Sequence, residues 1–309
     1  MRPELFRVFD IAFPAYFVLL LSGFLFATTM GVVWARRIGE DPDVVVDLGL
    51  STLLMGVVGA RVLHVLADGY FWDYVHLCTD PSLVDVRISQ RECLSPDYGG
   101  VWDAARSLCH PASRDCLAWA KFWAGGLTYY GGFIGAVVSS WYLLKRDRFP
   151  YWRAADMAGF VVPVGLAFGR MGCLLAGCCF GLKTGTGLGL VFPGRSPASE
   201  SQFKAGELAS MNLPSLAVHP TQLYESAASL AIAAFCLLYV HPRKRYDGQV
   251  FLAFVALYAG ARFVLEILRR DDRGELLGLS TSQLIGVLLI AAAARAHGHL
   301  RTRAKPRGT

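Results

Sequence analysis

Charged side chains are scarce in this 309-residue sequence: Asp, Glu, Lys and Arg make up only 17% of it, against roughly 25% in ordinary soluble domains. With 54% hydrophobic residues, that shortage excludes a soluble globular class and a charge-rich disordered one. There is no internal repeat of fixed period and no low-complexity tract, which excludes solenoids and linker-like stretches. No two of Cys78, Cys93, Cys109 and Cys116 stand two to four residues apart, so the usual spacing of a zinc site is missing. Between Met157 and Phe168 there is no charge at all.

Long apolar runs are present instead. They fall at about 11–34, 45–67, 123–144, 154–178, 220–240, 249–268 and 280–295, and a membrane span needs about 20 residues at 1.5 Å rise each. The sequence therefore predicts an all-α integral membrane protein of about seven transmembrane helices, forming one membrane domain over residues 1–309. Arg36 and Arg37 follow span one, Lys145, Arg146 and Arg148 follow span three, and Arg243, Lys244 and Arg245 follow span five. A basic tail at 296–309 carries Arg301, Arg303, Lys305 and Arg307. With seven spans all four clusters share one side, so the positive-inside rule predicts a multi-pass protein with its N-terminus outside and its tail in the cytoplasm. The net charge of +6 then belongs to the cytoplasmic membrane face, and no nucleic-acid partner is expected. Span one is too long for the apolar core of a cleavable signal, and its flanking arginines lie on the C-terminal side.

That topology leaves two longer segments outside. An insert at 68–121 holds Cys78, Cys93, Cys109 and Cys116, compatible with two disulfides in any of three pairings. A second segment at 182–218, rich in Gly, Ser and Pro, reads as an arm or lid with little regular structure.

The polar residues of the spans gather in the outer half. Tyr16 starts span one, Arg61 and His64 end span two, and Tyr129 and Tyr130 start span three. His219, Gln222, Tyr224 and Glu225 open span five, and Arg262 and Glu266 lie one turn apart on span six. Arg170 sits in apolar sequence between Gly169 and Gly172, with Gly177 and Gly181 beyond. An arginine at such depth costs roughly 2.5–3.5 kcal/mol and is rarely kept without a polar partner. Its planar fork of donors suits a phosphate or carboxylate held bidentately. The tyrosines also fit interfacial anchors, Arg61 and His64 also fit snorkelling side chains, and the glycines also fit helix packing. Packing does not account for Arg170. Cys173, Cys178 and Cys179 have no histidine near them in sequence and read as small buried hydrophobes, so no metal and no cofactor are expected.

In this order the motifs resemble the prolipoprotein diacylglyceryl transferase family of the bacterial inner membrane. The resemblance rests on Gly59-Ala60-Arg61, on the run from Gly125 to Gly132, and on the glycine–arginine signature at 169–181. It continues through His219-Pro220-Thr221-Gln222-Leu223-Tyr224-Glu225, the run from Tyr258 to Phe263, Glu266, and Ser280-Thr281-Ser282-Gln283. It implies seven helices and transfer of the diacylglyceryl group of phosphatidylglycerol to the lipobox cysteine of a prolipoprotein, releasing glycerol 1-phosphate. The implied partners are phosphatidylglycerol, prolipoprotein signal peptides and membrane lipids.

By the same resemblance Arg170 holds the headgroup, Arg262 is a second essential arginine, and Tyr16 and Tyr258 are site tyrosines. Arg61, Gly169, Gly172, Gly181, Gln222, Tyr224, Glu225 and Glu266 complete the expected substrate-binding set. Tyr130 stands where the family carries its acid–base histidine, so Tyr130, Arg262 and His219 are the expected catalytic residues. Cys173 and Ala176 stand where the family has asparagines, and Cys178 where it has a glutamate. These departures keep two alternatives open: a paralogous enzyme that gives phosphatidylglycerol another acceptor, and a non-catalytic lipid-binding or transport protein. Leu175-Ala176-Gly177-Cys178 has the form of a lipobox itself, but lies too deep in the chain to act as one.

Overall fold

The computed structural model describes residues 4–8, 11–95, 98–122, 126–269, 275–276 and 278–303. Gly125, the first residues of expected span three, and Lys305 and Arg307 of the tail lie outside the described residues. Among the described residues six helices are long and apolar enough to cross a membrane: Ala15–Ile38, Pro42–Ala67, Tyr151–Ala176, Thr221–Arg243, Gln249–Ile267 and Thr281–Arg303. The remaining expected span, the third, forms a helix at Tyr129–Arg146. It is only 18 residues long and closes on Lys145 and Arg146, so it is shorter and less apolar than the 123–144 run suggested. The last span is longer than expected, because helix continues through the polar residues after 295.

In chain order the elements are β1 (Glu4–Val8), β2 (Ile11–Pro14), α1 (Ala15–Ile38), α2 (Pro42–Ala67), α3 (Phe71–Thr79), α4 (Gln90–Cys93), β3 (Val101–Asp103) and β4 (Leu108–His110). They continue with α5 (Tyr129–Arg146), α6 (Tyr151–Ala176), α7 (Pro197–Lys204), α8 (Thr221–Phe235), α9 (His241–Arg243), α10 (Gln249–Ile267), β5 (Glu275–Leu276), β6 (Leu279–Ser280) and α11 (Thr281–Arg303). A five-residue π-helical stretch, Cys236–Val240, joins α8 to α9 without a break. Each two-stranded pair, β1–β2, β3–β4 and β5–β6, is antiparallel. The chain divides into two compact units, Met1–Val45 with Phe149–Thr309, and Val46–Arg148.

In the first unit α6 is the hub: α1, α8 and α10 pack on it, and α10 also packs on α8 and α11. Met157, Phe160, Val164 and Ala167 are buried along it at helical spacing. Small residues let neighbouring helices close in, as is usual where lipid supplies no hydrophobic drive between helices. A Cβ on Gly159 would stand 3.0 Å from the backbone of Val250 and Phe251, and one on Gly23 would meet the Phe168 side chain. Large apolar side chains such as Phe17, Leu25, Phe26, Val264 and Leu288 face outward, as a lipid-facing surface requires.

One end of this unit is tied by charge. Asp156, fully buried, accepts from Lys244 Nζ at 2.8 Å and from the backbone N–H of Val250 at 2.8 Å. Arg153 pairs with Glu40 and, at 3.2 Å, with Asp247. Arg36 and Arg37 close the last turn of α1 here, where cations suit the helix dipole, and Gly39 ends the helix at φ 76°.

The arm at 182–218 is more structured than its composition suggested. It carries α7, capped by Ser196, and a small apolar core of Phe192, Ala198 and Val218 against Leu174 and Phe180. Buried Gln202 accepts from the N–H of Leu216 at 2.7 Å.

In the second unit α2 and α5 approach at backbone distance. A Cβ on Gly131 would run into the Gly59 carbonyl, and one on Gly135 into the Met55 carbonyl, the close crossing that paired small residues allow. Disulfides join Cys78 to Cys116 and Cys93 to Cys109. The β3–β4 register and the backbone bonds between Val86 and Cys109 bring Cys109 to the short helix that carries Cys93.

Candidate functional site

The expected site residues that belong to the first unit lie at the end of the bundle opposite the Asp156 clamp. They come from the start of α1, the last turns of α6, the start of α8 and the last turns of α10. The chain reverses at each helix end, so alternate termini fall together.

Glu225 is the centre of this cluster. Only 2% exposed, its Oε1 pairs with Arg170 Nη2 at 2.9 Å and accepts from the Tyr258 hydroxyl at 2.9 Å. Its Oε2 is buried with no hydrogen-bond partner among the described residues, as is Oε1 of Gln222. One turn beyond Tyr258, Arg262 Nη2 pairs with Glu266 Oε2 at 2.6 Å. Glu266 Oε1 accepts from the Ser280 hydroxyl at 3.3 Å. Each arginine thus arrives with its own carboxylate, which offsets the cost of burying the cation.

The α6–α8 connection is held as firmly. Gln222 Nε2 donates to the Cys178 carbonyl at 2.6 Å, and the Thr221 hydroxyl to the Cys179 carbonyl at 2.8 Å. The Gly181 N–H donates to the His219 carbonyl at 2.9 Å. A side chain on Gly181 would collide with the Leu268 carbonyl, and one on Gly172 would press on Tyr16, 3.0 Å from its ring. Gly169 has Leu20 nearby at 3.8 Å from an added Cβ. His219 Nδ1 and the Tyr224 hydroxyl share a hydrogen bond of 3.4 Å. Tyr16 is 43% exposed at the start of α1. The structure therefore groups Arg170, Gln222, Glu225 and Tyr258 by direct contacts through side chains and the turn after α6, with Arg262 and Glu266 on the next turn of α10.

Several participants were not singled out from the sequence. Thr221, Ser226 and Ser229 are buried beside Gln222 and Glu225 on α8, and Ser226 donates to the Ala167 carbonyl at 3.1 Å. The signal was available: polar residues recurring every three to four positions mark one face of an otherwise apolar helix. Cys173, Cys178 and Cys179 bring their sulfurs within 4.8 Å of one another, which their sequence spacing did not suggest. The Cys179 thiol is held below the usual thiol range by hydrogen bonding to Cys173 and Cys178, and then by the charges of Arg170 and Arg269.

The remaining expected residues belong to the second unit. Arg61 is buried, and its guanidinium donates to the carbonyls of Trp119 at 2.7 Å, Ala118 at 2.6 Å and Gly126 at 3.1 Å. It also lies 5.2 Å from the centre of the Tyr74 ring. Here the fork organises the loop that leads into α5. Tyr130 is 60% exposed on the first turn of α5, edge-on to Tyr129. His64 Nδ1 lies 2.9 Å from Asp68, which also accepts from the Thr128 hydroxyl at 2.5 Å. These bonds, Thr128 first and His64 second, hold the Asp68 carboxyl below the usual range.

A family model described as prolipoprotein diacylglyceryl transferase matches residues 3–297. The phosphatidylglycerol–prolipoprotein diacylglyceryl transferase of Dehalococcoides mccartyi (strain ATCC BAA-2266) is 35% identical over 293 residues, covering 94% of this chain and 90% of its own length. The protein of the same name from Clostridium tetani is 27% identical over 293 residues, 94% of each chain. The Clostridium perfringens protein whose name adds the number 2 is 27% identical over 294 residues, 94% of this chain and 92% of its own.

Proposed function

Because the chain belongs to the prolipoprotein diacylglyceryl transferase family, we propose that it moves the diacylglyceryl group of phosphatidylglycerol onto the lipobox cysteine of prolipoproteins. The observation that carries this reading is the network of Arg170 and Tyr258 around buried Glu225, which has an orphaned carboxylate oxygen. A buried acceptor left unpaired costs about 1–3 kcal/mol. A glycerol headgroup has the hydroxyls to satisfy Glu225 Oε2 and Gln222 Oε1, while its phosphate takes the Arg170 fork.

In this reading the acceptor sulfur attacks the glyceryl carbon next to the phosphate. The C–S bond forms, the C–O bond breaks, and the electron pair leaves on the phosphate oxygen as glycerol 1-phosphate. The phosphodiester enters with one negative charge and the product gains another. Arg170, and Arg262 one turn past Tyr258, supply preorganised positive charge where that second charge grows, the largest kind of contribution such a site makes. The attacking thiol must lose its proton, because the thiolate is the nucleophile. We assign proton acceptance to Tyr130, with His219 or His64 as the alternative base.

The site faces the outer leaflet of the bacterial inner membrane in this reading, with the tail in the cytoplasm. Arg36, Arg37, Arg243, Lys244 and Arg245 at the opposite end of the first unit support that orientation. The test is reconstitution of the purified chain with phosphatidylglycerol vesicles and a lipobox peptide. Thioether-linked diacylglyceryl peptide and glycerol 1-phosphate should appear together, and Arg170→Ala should lose both product and lipid binding. Arg170→Lys should rescue poorly, lacking the fork. A folded wild-type chain that binds the lipid and yields no modified peptide would refute the transferase reading, and undiminished lipid binding by Arg170→Ala would refute the headgroup assignment.

A further inference from the structure

The turn that follows Arg170 carries a feature that lipid transfer leaves unused. Cys173 lies on the last turn of α6, and the helix ends at Gly177 in the left-handed region, φ 74°. Two residues later Cys179 is left-handed as well, φ 62°, a conformation that a β-carbon makes unfavourable and that persists only when its surroundings enforce it. Here they do. The Cys178 N–H donates to the Cys173 carbonyl at 3.1 Å, Gln222 holds the Cys178 carbonyl, and Thr221 holds the Cys179 carbonyl. The double reversal brings two sulfurs back toward the one on the helix, so that all three lie within 4.8 Å of one another. All three cysteines are half-buried and none is in a disulfide.

We propose that Cys173, Cys178 and Cys179 form a three-thiolate site for a thiophilic metal cation, Cu+ foremost. Three sulfurs each about 2.3 Å from one ion stand about 4 Å apart, so sub-ångström closure completes the site. A disulfide would need two of them at about 2.05 Å and would leave the third without a role. The donor set is all sulfur, with no histidine or carboxylate in the group. Soft thiolates of that kind select Cu+ over harder ions, and three of them match trigonal coordination, whereas Zn2+ calls for a fourth donor. Binding converts thiols to thiolates, releasing their protons to solvent, with no change of oxidation state. Arg170 lies one turn before Cys173 on α6, and the Arg269 backbone pairs with Gly181 just past the loop. Both add positive charge beside a ligand set richer in negative charge than the ion it holds.

The test uses the whole detergent-solubilised chain under anaerobic conditions, with Cu+ supplied from a chromogenic chelator. One Cu+ per chain should leave the chelator, with near-ultraviolet thiolate-to-metal absorption. Outer-shell partners alone are worth roughly 10–100-fold in metal affinity, so Cys173→Ser, Cys178→Ser or Cys179→Ser should each weaken binding by more than about 100-fold. Cys236→Ser, which removes the remaining free cysteine, should leave it unchanged. Cu+ should also protect Cys173, Cys178 and Cys179 of the unmutated chain from alkylation, read by peptide mass, so the answer does not depend on the variants folding. Equal Cu+ binding by the triple serine variant, or alkylation of the three cysteines unaffected by Cu+, would overturn the proposal.

Discussion

Glu225→Gln separates the two things its carboxylate does. In the resting protein it compensates Arg170 at 2.9 Å and takes the Tyr258 hydroxyl. The substitution keeps shape and hydrogen-bonding capacity but removes the charge. Breaking a buried pair from one side costs about 3–5 kcal/mol. The Arg170 side chain retains 22% exposure and can recruit water, which favours the lower figure. At roughly 2–4 °C per kcal/mol, a loss of about 3 kcal/mol lowers Tm by roughly 6–12 °C. In the proposed binding mode an anionic headgroup delivers the missing negative charge to the same guanidinium. Phosphatidylglycerol should therefore raise the Tm of Glu225→Gln by more than it raises that of the unmutated protein, and diacylglycerol, which has no phosphate, should not. The assay is thermal unfolding in detergent with each lipid added in turn. In the double variant Arg170→Ala with Glu225→Gln the lipid-specific recovery should vanish, which makes a cycle that isolates the pair. A Tm for Glu225→Gln equal to that of the unmutated protein would refute the claim that the pair is energetically significant. Equal recovery with the two lipids would refute phosphate recognition by Arg170.

Four further outcomes are expected. Cys78, Cys93, Cys109 and Cys116 should resist alkylation until reductant is added, and opening either bridge should cost about 3–4 kcal/mol by the chain-entropy relation for loops of this size; full labelling without reductant would remove the bridges. Asp156→Ala leaves two backbone N–H groups without their side-chain acceptor and Lys244 with Asp247 alone, so Tm should fall by the equivalent of about 3 kcal/mol, the low end for a pair broken from one side, and an unchanged Tm would contradict the clamp. Tyr130→Phe should cut turnover with little change in lipid affinity, and Tyr130→His should retain or raise it; equal turnover for Phe and Tyr would end the assignment of the base. The folded pKa of Asp68 is depressed by Thr128 and His64, so its stabilisation is full above the unfolded carboxylate value of about 3.9 and fades as pH falls through the lower folded value. Thr128→Val should flatten that acid limb in a pH series of Tm, and an identical acid limb would count against it.

Elements whose chemistry is local were legible in the sequence, and those made by contact between distant segments were not. Apolar run length located α1, α2, α6, α8 and α10 within a few residues, because span length is fixed by membrane thickness. The same rule overran at α5, where glycines and a basic end leave 18 residues. Arg170 announced itself by isolation, but its partner Glu225 stands 55 positions later, and only the packing of α6 on α8 reveals the pair. Arg61 had the same appearance as a ligand arginine. Carbonyls of Ala118, Trp119 and Gly126, in a stretch with no sequence signature, accept from it. The four insert cysteines allowed three pairings, and the choice among them rests on strand register in β3–β4. The three-sulfur cluster needed two left-handed residues, one of which is not glycine, and nothing in a sequence predicts that.

The pairing of each arginine with a carboxylate also answers an energetic question that the sequence raised. An unaccompanied guanidinium in a span is costly, yet a site for an anionic lipid needs one. Arg170 with Glu225, and Arg262 with Glu266, pair each cation with an anion, so these four side chains sum to zero net charge at rest. A phosphate entering such a site does not have to recruit cations from water, since it shares guanidinium groups already paired there with carboxylates. The same carboxylates limit how tightly a singly charged phosphodiester is held, because they compete for the donors. A departing phosphate with a second charge competes better. In the proposed transfer, neutral resting pairs would therefore weaken ground-state binding more than binding of the charge that develops, which is the direction that raises turnover rather than affinity alone.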